Sequence, residues 1–302
     1  VKYKPDELKN SVLITHKGCS DGSGCAVVFL LAGGKKENIH YVPAGNGVRD
    51  FYKKNQDVFE THDRVIIADV ACDTETADLF EKLYHGDITI IDHHKTALDL
   101  KDRDWCHINM EKCGTFLLYD YLFENGEPDD HWGAVWNFAE MINDRDMWIR
   151  KDPKSDQLSL FANFFGQEKF VDMMTYRIRK CYPLMTDADL NVVKVLESKR
   201  DKYIEKHSEK PFFKELDGVK CAYVFCSDHQ SQLLQRVMER HDCDVAIGIK
   251  LNSFGGVASI RSTEKVDATE IAKQFGGGGH ARAAGHPIDR KTIEELLEVI
   301  HP

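Results

Sequence analysis

The sequence is poor in the features that mark a special environment. No C-x-x-C pair occurs among its nine cysteines, which removes the usual redox dithiol and the close ligand spacing of a structural zinc site. The odd count, and the place of Cys221 and Cys226 in the apolar run CAYVFC, suit free or buried thiols of a reducing cytosol. No stretch approaches the ~18 uninterrupted apolar residues of a membrane span. The opening VKYKPDELKN lacks the apolar segment of a secretory signal. A cytoplasmic protein without membrane association is therefore expected. Positive charge is also short: 40 Lys and Arg against 50 Asp and Glu leave a formal net charge of -10. Gripping long nucleic acid by counterion release needs a basic face, so a long duplex is not the expected partner. A small anion remains a suitable ligand, because metal ions and backbone N–H groups supply positive potential locally. Repeats and low-complexity tracts are missing, apart from four glycines at 276–279.

What is present is a 302-residue chain with 42% hydrophobic residues, enough for a real core and of a length that favours two domains. Short apolar runs alternate with helical patterns in the first half. SVLITH (11–16), RVIIADV (64–70) and ITIIDHH (88–94) read as strands. CAVVFLLAG (25–33) and TETADLFEKLYHG (74–86) read as helices, the second with Thr74 as its N-cap. Apolar strands between helices indicate a mostly parallel sheet with helices on both faces. The stretch from about Cys113 to Trp148 is helical, and 187–210 reads as a long charged helix leading between domains. The last third is again α/β: VKCAYVFC, DVAIGIKL and FGGVASIRS as strands, TIEELLEVI as a terminal helix. The expected architecture is α/β with two domains, 1–185 and a smaller 215–302, joined by a helical linker over 186–214.

In open α/β sheets, ligands bind beyond the carboxyl ends of the strands. His16 closes the first strand, Asp69 the second, and Asp92, His93 and His94 the third. One Asp after a strand is an ordinary turn former or helix cap; polar residues at three successive strand ends, two of them adjacent His, point to a site. Asp and His suit Mn²⁺, with Mg²⁺ or another divalent transition metal as alternatives. Such an ion activates water and polarises a phosphoryl oxygen. At the glycine run, Gly277, Gly278 and Gly279 let backbone approach a ligand closely. A helix starting near Ala281 would aim its N–H groups at an anion, with Arg282 as a guanidinium fork.

Four motifs in this order resemble the DHH phosphoesterase family: an N-terminal H-x4-D-G at His16, Asp21 and Gly22, then ADVACD, then IDHH, then FGGGGHARAAGHP. The last resembles the signature of the DHH-associated C-terminal domain, and the likeness spans about 11–150 and 215–300. The resemblance implies one or two metal ions. By position, Asp21, Asp69, His93 and one Asp of Asn143-Asp144-Arg145-Asp146 hold one of them, with Asp144 favoured. His16 and Asp69 belong to the other set, where Cys19 stands in place of a carboxylate; either Cys19 ligates a softer metal as thiolate or the first site is weak or empty, and a weakened or altered first site is the favoured expectation. Asp92 is expected to orient an imidazole of the triplet, and His94 to contact phosphate or move a proton. Asp73 serves as an N-cap or as a carboxylate behind the ligands. Arg261, Gly277, Gly278, Gly279, His280 and Arg282 are the substrate-binding residues implied by the resemblance. The second domain would hold the far end of a substrate against the metals, which favours small or end-bound substrates. His62, His85, His107 and His131 are read as surface or packing residues, and Trp132, Trp136 and Trp148 as helix-packing core.

The expected activity is metal-dependent phosphodiester hydrolysis of short oligonucleotides or dinucleotides to mononucleotides. A nucleotide phosphomonoesterase or a pyrophosphatase is the alternative within enzymes, and a nucleotide-binding regulator the alternative outside them. A homodimer is left open.

Overall fold

A computed structural model describes residues 8–83, 87–123, 130–216, 218–252 and 255–300. Two compact units divide at Val195 and Leu196.

In the N-terminal unit, β1 (Ser11–His16) leads into α1 (Ser20–Leu31), followed by β2 (Ile39–Val42), α2 (Gly47–Lys54) and α3 (Gln56–Thr61). β3 (Arg64–Ala68), α4 (Thr74–Leu83), β4 (Asp87–Asp92) and β5 (Cys106–Ile108) complete a five-stranded sheet of order β2-β1-β3-β4-β5, parallel throughout. The expected parallel sheet is thus present. Helices α5 (Gly114–Phe123), α6 (Asp130–Asp146), α7 (Pro153–Phe165) and α8 (Gln167–Arg179) follow. Period-two alternation along each strand sends buried residues to both faces. Leu13, Ile66 and Ile91 join one core with α1 and α5 to α8, while Val12, Ile14, Val65, Ile67 and Ile90 join another with Tyr52, Phe59 and Phe80. Registers such as Ile14↔Ile67 and Ile67↔Ile90 stack β-branched residues across the sheet.

Several boundaries differ from those read in the sequence. α1 begins at Ser20 rather than at Cys25, because Cys19 caps it with its sulfur 3.1 Å from the Gly22 amide. Thr74 is not the cap of α4; the Asp73 carboxylate accepts the Thr76 amide at 2.7 Å and pairs with Arg49 at 2.6 Å. β2 and β5 are short edge strands too brief for a period to show. α7 carried a readable start, Asp152 capping Lys154 with Pro153 in the first turn, and a readable stop at Gly166 (φ 79). Trp136 is 46% exposed and Trp148 is half-buried between Arg145 and Arg150 (4.5 and 4.7 Å to the ring centre), so neither is core. His62 binds the Val58 carbonyl (2.8 Å) and His107 packs on Tyr121. His85, and the side chains of His131 and Trp132, lie outside the described residues. Among the described residues no helix is long and apolar enough to cross a membrane. No disulfide joins any of the nine cysteines.

The long helix α9 (Asp187–His207) crosses the division between units. Beyond it, β6 (Phe212–Leu216), β7 (Val219–Phe225), α10 (Gln230–Arg240), β8 (Val245–Asn252), β9 (Gly255–Ser262), α11 (Ala268–Lys273), β10 (Gly278–His280), β11 (Ala283–Ile288) and α12 (Arg290–Ile300) follow. The sheet order is β10-β11-β9-β8-β7-β6, antiparallel except for the β7–β8 pair. One face buries Ala222, Val224 and Ala246 under Leu233, Leu234 and Val237 of α10; the other buries Cys221, Val245 and Ile260 under Ala268 and Ala272 of α11.

Candidate metal centre

β1, β3 and β4 are adjacent and parallel, about 4.8 Å apart, so whatever follows their carboxyl ends is brought together. His16 is the last residue of β1, Asp69 the first after β3, and Asp92 the last of β4. Asp69 turns off the strand in the left-handed region, φ 58, a conformation that Asp tolerates better than most residues. Its amide still donates to the Ile91 carbonyl (3.1 Å), so it remains tied to β4. A Cβ on Gly114 would lie 2.5 Å from the Asp69 Cβ, so the start of α5 can approach this turn only as glycine.

The Asp69 carboxylate faces two ways. Its Oδ1 lies 3.3 Å from His93 Nε2, and its Oδ2 accepts from Cys19 Sγ at 3.4 Å. On the first side His93 Nε2 is also 3.4 Å from Asp21 Oδ2 and 3.7 Å from Asp146 Oδ2. On the second, Cys19 Sγ is 3.2 Å from His16 Nδ1. Two donor sets result, Asp21, His93 and Asp146 beside His16, Cys19 and Asp69, with Asp69 at the seam. Asp21 is aimed by α5, whose Gly114 and Thr115 amides donate to its two oxygens at 2.8 and 2.7 Å. Gln167 holds the loop after β1, accepting from the Gly18 amide and donating to the His16 carbonyl, both at 3.1 Å. Neither Gly114 nor Gln167 carries a local sequence signal, since each acts on residues far away in the chain.

Asp144, the favoured ligand of its tetrapeptide, is not in the cluster. It accepts from the Lys151 amide (2.8 Å), the Asp152 amide (3.3 Å) and Ser155 Oγ (2.5 Å), and so shapes the turn after α6. Residues two apart on a helix point to opposite sides, about 200° around the axis; Asp146 therefore faces His93 because Asp144 does not.

Asp92 is fully buried, and its Oδ1 accepts from the His93 amide (2.8 Å) and lies 2.7 Å from His94 Nδ1. Burial works against the Asp92 charge, yet His94 outweighs it and holds the carboxyl below its ordinary range. Burial would likewise lower His94, but Asp92 raises it on balance. Asp21 is held low against burial by His93 and Thr115. Burial first, and the Asp21 charge second, push the Asp69 carboxyl well above the usual range. The same two causes push Asp146 up to about 6. Burial and then the Asp69 and Asp21 charges push the Cys19 thiol up. Desolvated carboxylates raised by mutual repulsion are what a divalent cation would relieve, and the oxygen and nitrogen donors present fit one.

In the C-terminal unit no helix begins near Ala281. β10 and β11 form a hairpin, because Gly277 to Gly279 pack directly on the opposite strand. A Cβ on Gly277 would overlap the Gly285 carbonyl oxygen. Arg282 donates to the Thr263 carbonyl and, at 3.2 Å, to that of Val266, tying down the hairpin turn. Arg261 donates to Ser231 Oγ at 2.7 Å. His280 is half-buried on β10.

The family model for the DHHA1 domain matches residues 222–301, the hairpin included. Oligoribonuclease NrnB of Bacillus subtilis is 27% identical over 291 residues, covering 91% of this chain and 72% of that protein. These similarities support a member of the DHH family. Among solved structures, RecJ with Mn²⁺ from Thermus thermophilus is similar to this chain with a TM-score of 0.57 at 14% identity, covering 97% of this chain and 52% of that one. A pGpG-specific phosphodiesterase, PggH from Vibrio cholerae, is similar with a TM-score of 0.50 at 13% identity, covering 96% of this chain and 97% of the other. Both likenesses concern the fold.

Proposed function

We propose that the chain is a metal-dependent phosphodiesterase that hydrolyses short oligonucleotides or dinucleotides to mononucleotides. The observation that carries this reading is Asp69, a single carboxylate shared between two donor sets at the ends of adjacent parallel strands. Divalent ions held there, Mn²⁺ by the donor chemistry of the oxygen-rich set, would neutralise phosphoryl charge and acidify water. Asp21, Asp69, His93 and Asp146 are the proposed ligands of one ion, and His16 with Asp69 part of the other set. Asp92 fixes the proton of His94 on Nδ1, so that proton exchange with the reacting phosphate or leaving oxygen takes place at Nε2. In the C-terminal unit, Arg261, Gly277, Gly278, Gly279, His280 and the backbone-anchored Arg282 are the proposed substrate-binding residues. The names of the relatives agree with this class of substrate: one is an oligoribonuclease, another acts on pGpG. The acidic net charge of -10 disfavours long nucleic acid.

The test is the purified chain with Mn²⁺ against linear and cyclic dinucleotides, short oligonucleotides, phosphomonoesters and a long single strand. Mononucleotide release from the short linear substrates is expected. Cleavage of the long strand alone would overturn the substrate reading, and release of free phosphate alone would make the chain a monoesterase. Asp69→Ala should lose more than the roughly hundredfold typical of a residue behind the ligands; full turnover in that variant would remove the metal reading.

A further inference from the structure

The two donor sets differ in chemistry. Asp21, His93 and Asp146, with Asp69 Oδ1 beside them, offer carboxylate oxygens and a single imidazole. His16, Cys19 and Asp69 offer one nitrogen, one sulfur and one oxygen. Oxygen-rich sets suit Mn²⁺ and Mg²⁺, whereas thiolate favours softer ions such as Zn²⁺. We propose that His16, Cys19 and Asp69 form a thiolate-containing position for a borderline-soft divalent ion of the Zn²⁺ class, beside an oxygen-rich position for Mn²⁺ or Mg²⁺, so that the centre takes two different metals. This rests on the metal-dependent reading above.

The geometry suits such an ion. With bonds of about 2.3 Å to sulfur and about 2.0 Å to nitrogen, a tetrahedral zinc sets its sulfur and nitrogen ligands about 3.5 Å apart. Cys19 Sγ lies 3.2 Å from His16 Nδ1 and 3.4 Å from Asp69 Oδ2, so small side-chain movements admit the ion. Three protein ligands leave a coordination position for water or substrate, as in catalytic rather than structural zinc sites. Capping does not explain the residue. Sulfur is a weak acceptor, and Ser, Thr, Asp or Asn caps a helix better. The amide of Gly22 at 3.1 Å keeps a place as the outer contact that orients a bound thiolate. On binding, the S–H bond gives its proton to water and a sulfur–metal bond forms, with no change of oxidation state.

Co²⁺ reports the ligand directly, because thiolate ligation adds a near-ultraviolet charge-transfer band that oxygen and nitrogen ligands do not give. The metal-free full chain should develop this band on titration with Co²⁺. Cys19→Ser and Cys19→Asp should lose it, and Cys19→Asp should still bind two ions. A wild-type chain that binds Co²⁺ without the band, or variants that retain it through another cysteine, would overturn the proposal. X-ray absorption of the wild-type chain loaded with Zn²⁺ needs no variant: one sulfur in the zinc shell is expected, and none would refute the site. Hydrolysis is read separately. Turnover without a thiolate signature defeats this inference and spares the proposed function, while a thiolate signature without turnover does the reverse.

Discussion

The parallel sheet of the N-terminal unit ends its central strands on side chains that carry charge, whereas the mixed sheet of the C-terminal unit ends on a hairpin of glycine and alanine. In the first, Asp69, Asp92 and His93 are buried and polar, and the surrounding backbone is shaped to hold them. In the second, the backbone itself is what comes close, with Gly277 against Gly285 and Gly279 against Ala284. One edge concentrates desolvated charge that a cation must balance. The other removes side chains so that two strands of backbone can pack closely. The difference teaches that the two ends should fail in different ways when altered, one in chemistry and the other in folding.

Three changes put that contrast to work. Gly277→Ala forces a methyl group into the Gly285 carbonyl, an overpacking that costs about 1–3 kcal/mol or more. Thermal melting should fall while metal uptake, measured on the folded fraction, stays at the wild-type level; unchanged melting would show that the hairpin is not closely packed. Asp92→Asn keeps the shape of the buried residue but removes the charge that fixes His94. A loss of about 10–100-fold in kcat with retained metal binding is expected, and an unchanged kcat would remove His94 from the proton path. The smallest effect is on metal-free stability. The folded-state carboxyls of Asp69 and Asp146 titrate above their unfolded values, Asp146 at about 6. The folded chain therefore holds extra protons between about pH 4 and pH 6, and its stability falls as pH rises through that window. Asp21, Asp92 and Asp144 are held low, so their contribution is lost only below the ordinary carboxyl range. Metal-free protein should melt higher at about pH 5 than at about pH 7.5, and Mn²⁺ should cancel the difference. A metal-free chain that gains stability across the same window would contradict the charge repulsion described at Asp69.

The same contrast explains what could be read from the chain alone. Strand ends are legible because apolar runs stop on a polar residue: His16, Asp69 and the Asp92-His93-His94 triplet stand out as a group in the sequence itself. The sheet around them is legible for the same reason. Asp146 is not separable from Asp144 there, because the choice depends on the rotation of α6 relative to β4, which no local pattern encodes. The hairpin reads as a helix start since glycine permits both, and only the packing against Gly285 decides between them. Gln167 and Gly114 escape notice because each serves a loop or turn that only the folded chain brings near. Cys19 stands out in the sequence as a departure, but its place between His16 and Asp69 is a product of the fold.

The left-handed turn at Asp69 has a consequence for anyone who sets out to improve this protein. A buried carboxylate in that backbone region, crowded by a second carboxylate, is among the least comfortable residues in the metal-free chain. Asn and Gly suit the turn as well or better and carry no charge. A directed-evolution campaign scored on heat resistance alone, in the presence of a chelator, would therefore select replacements at position 69 early and erase the centre while appearing to succeed.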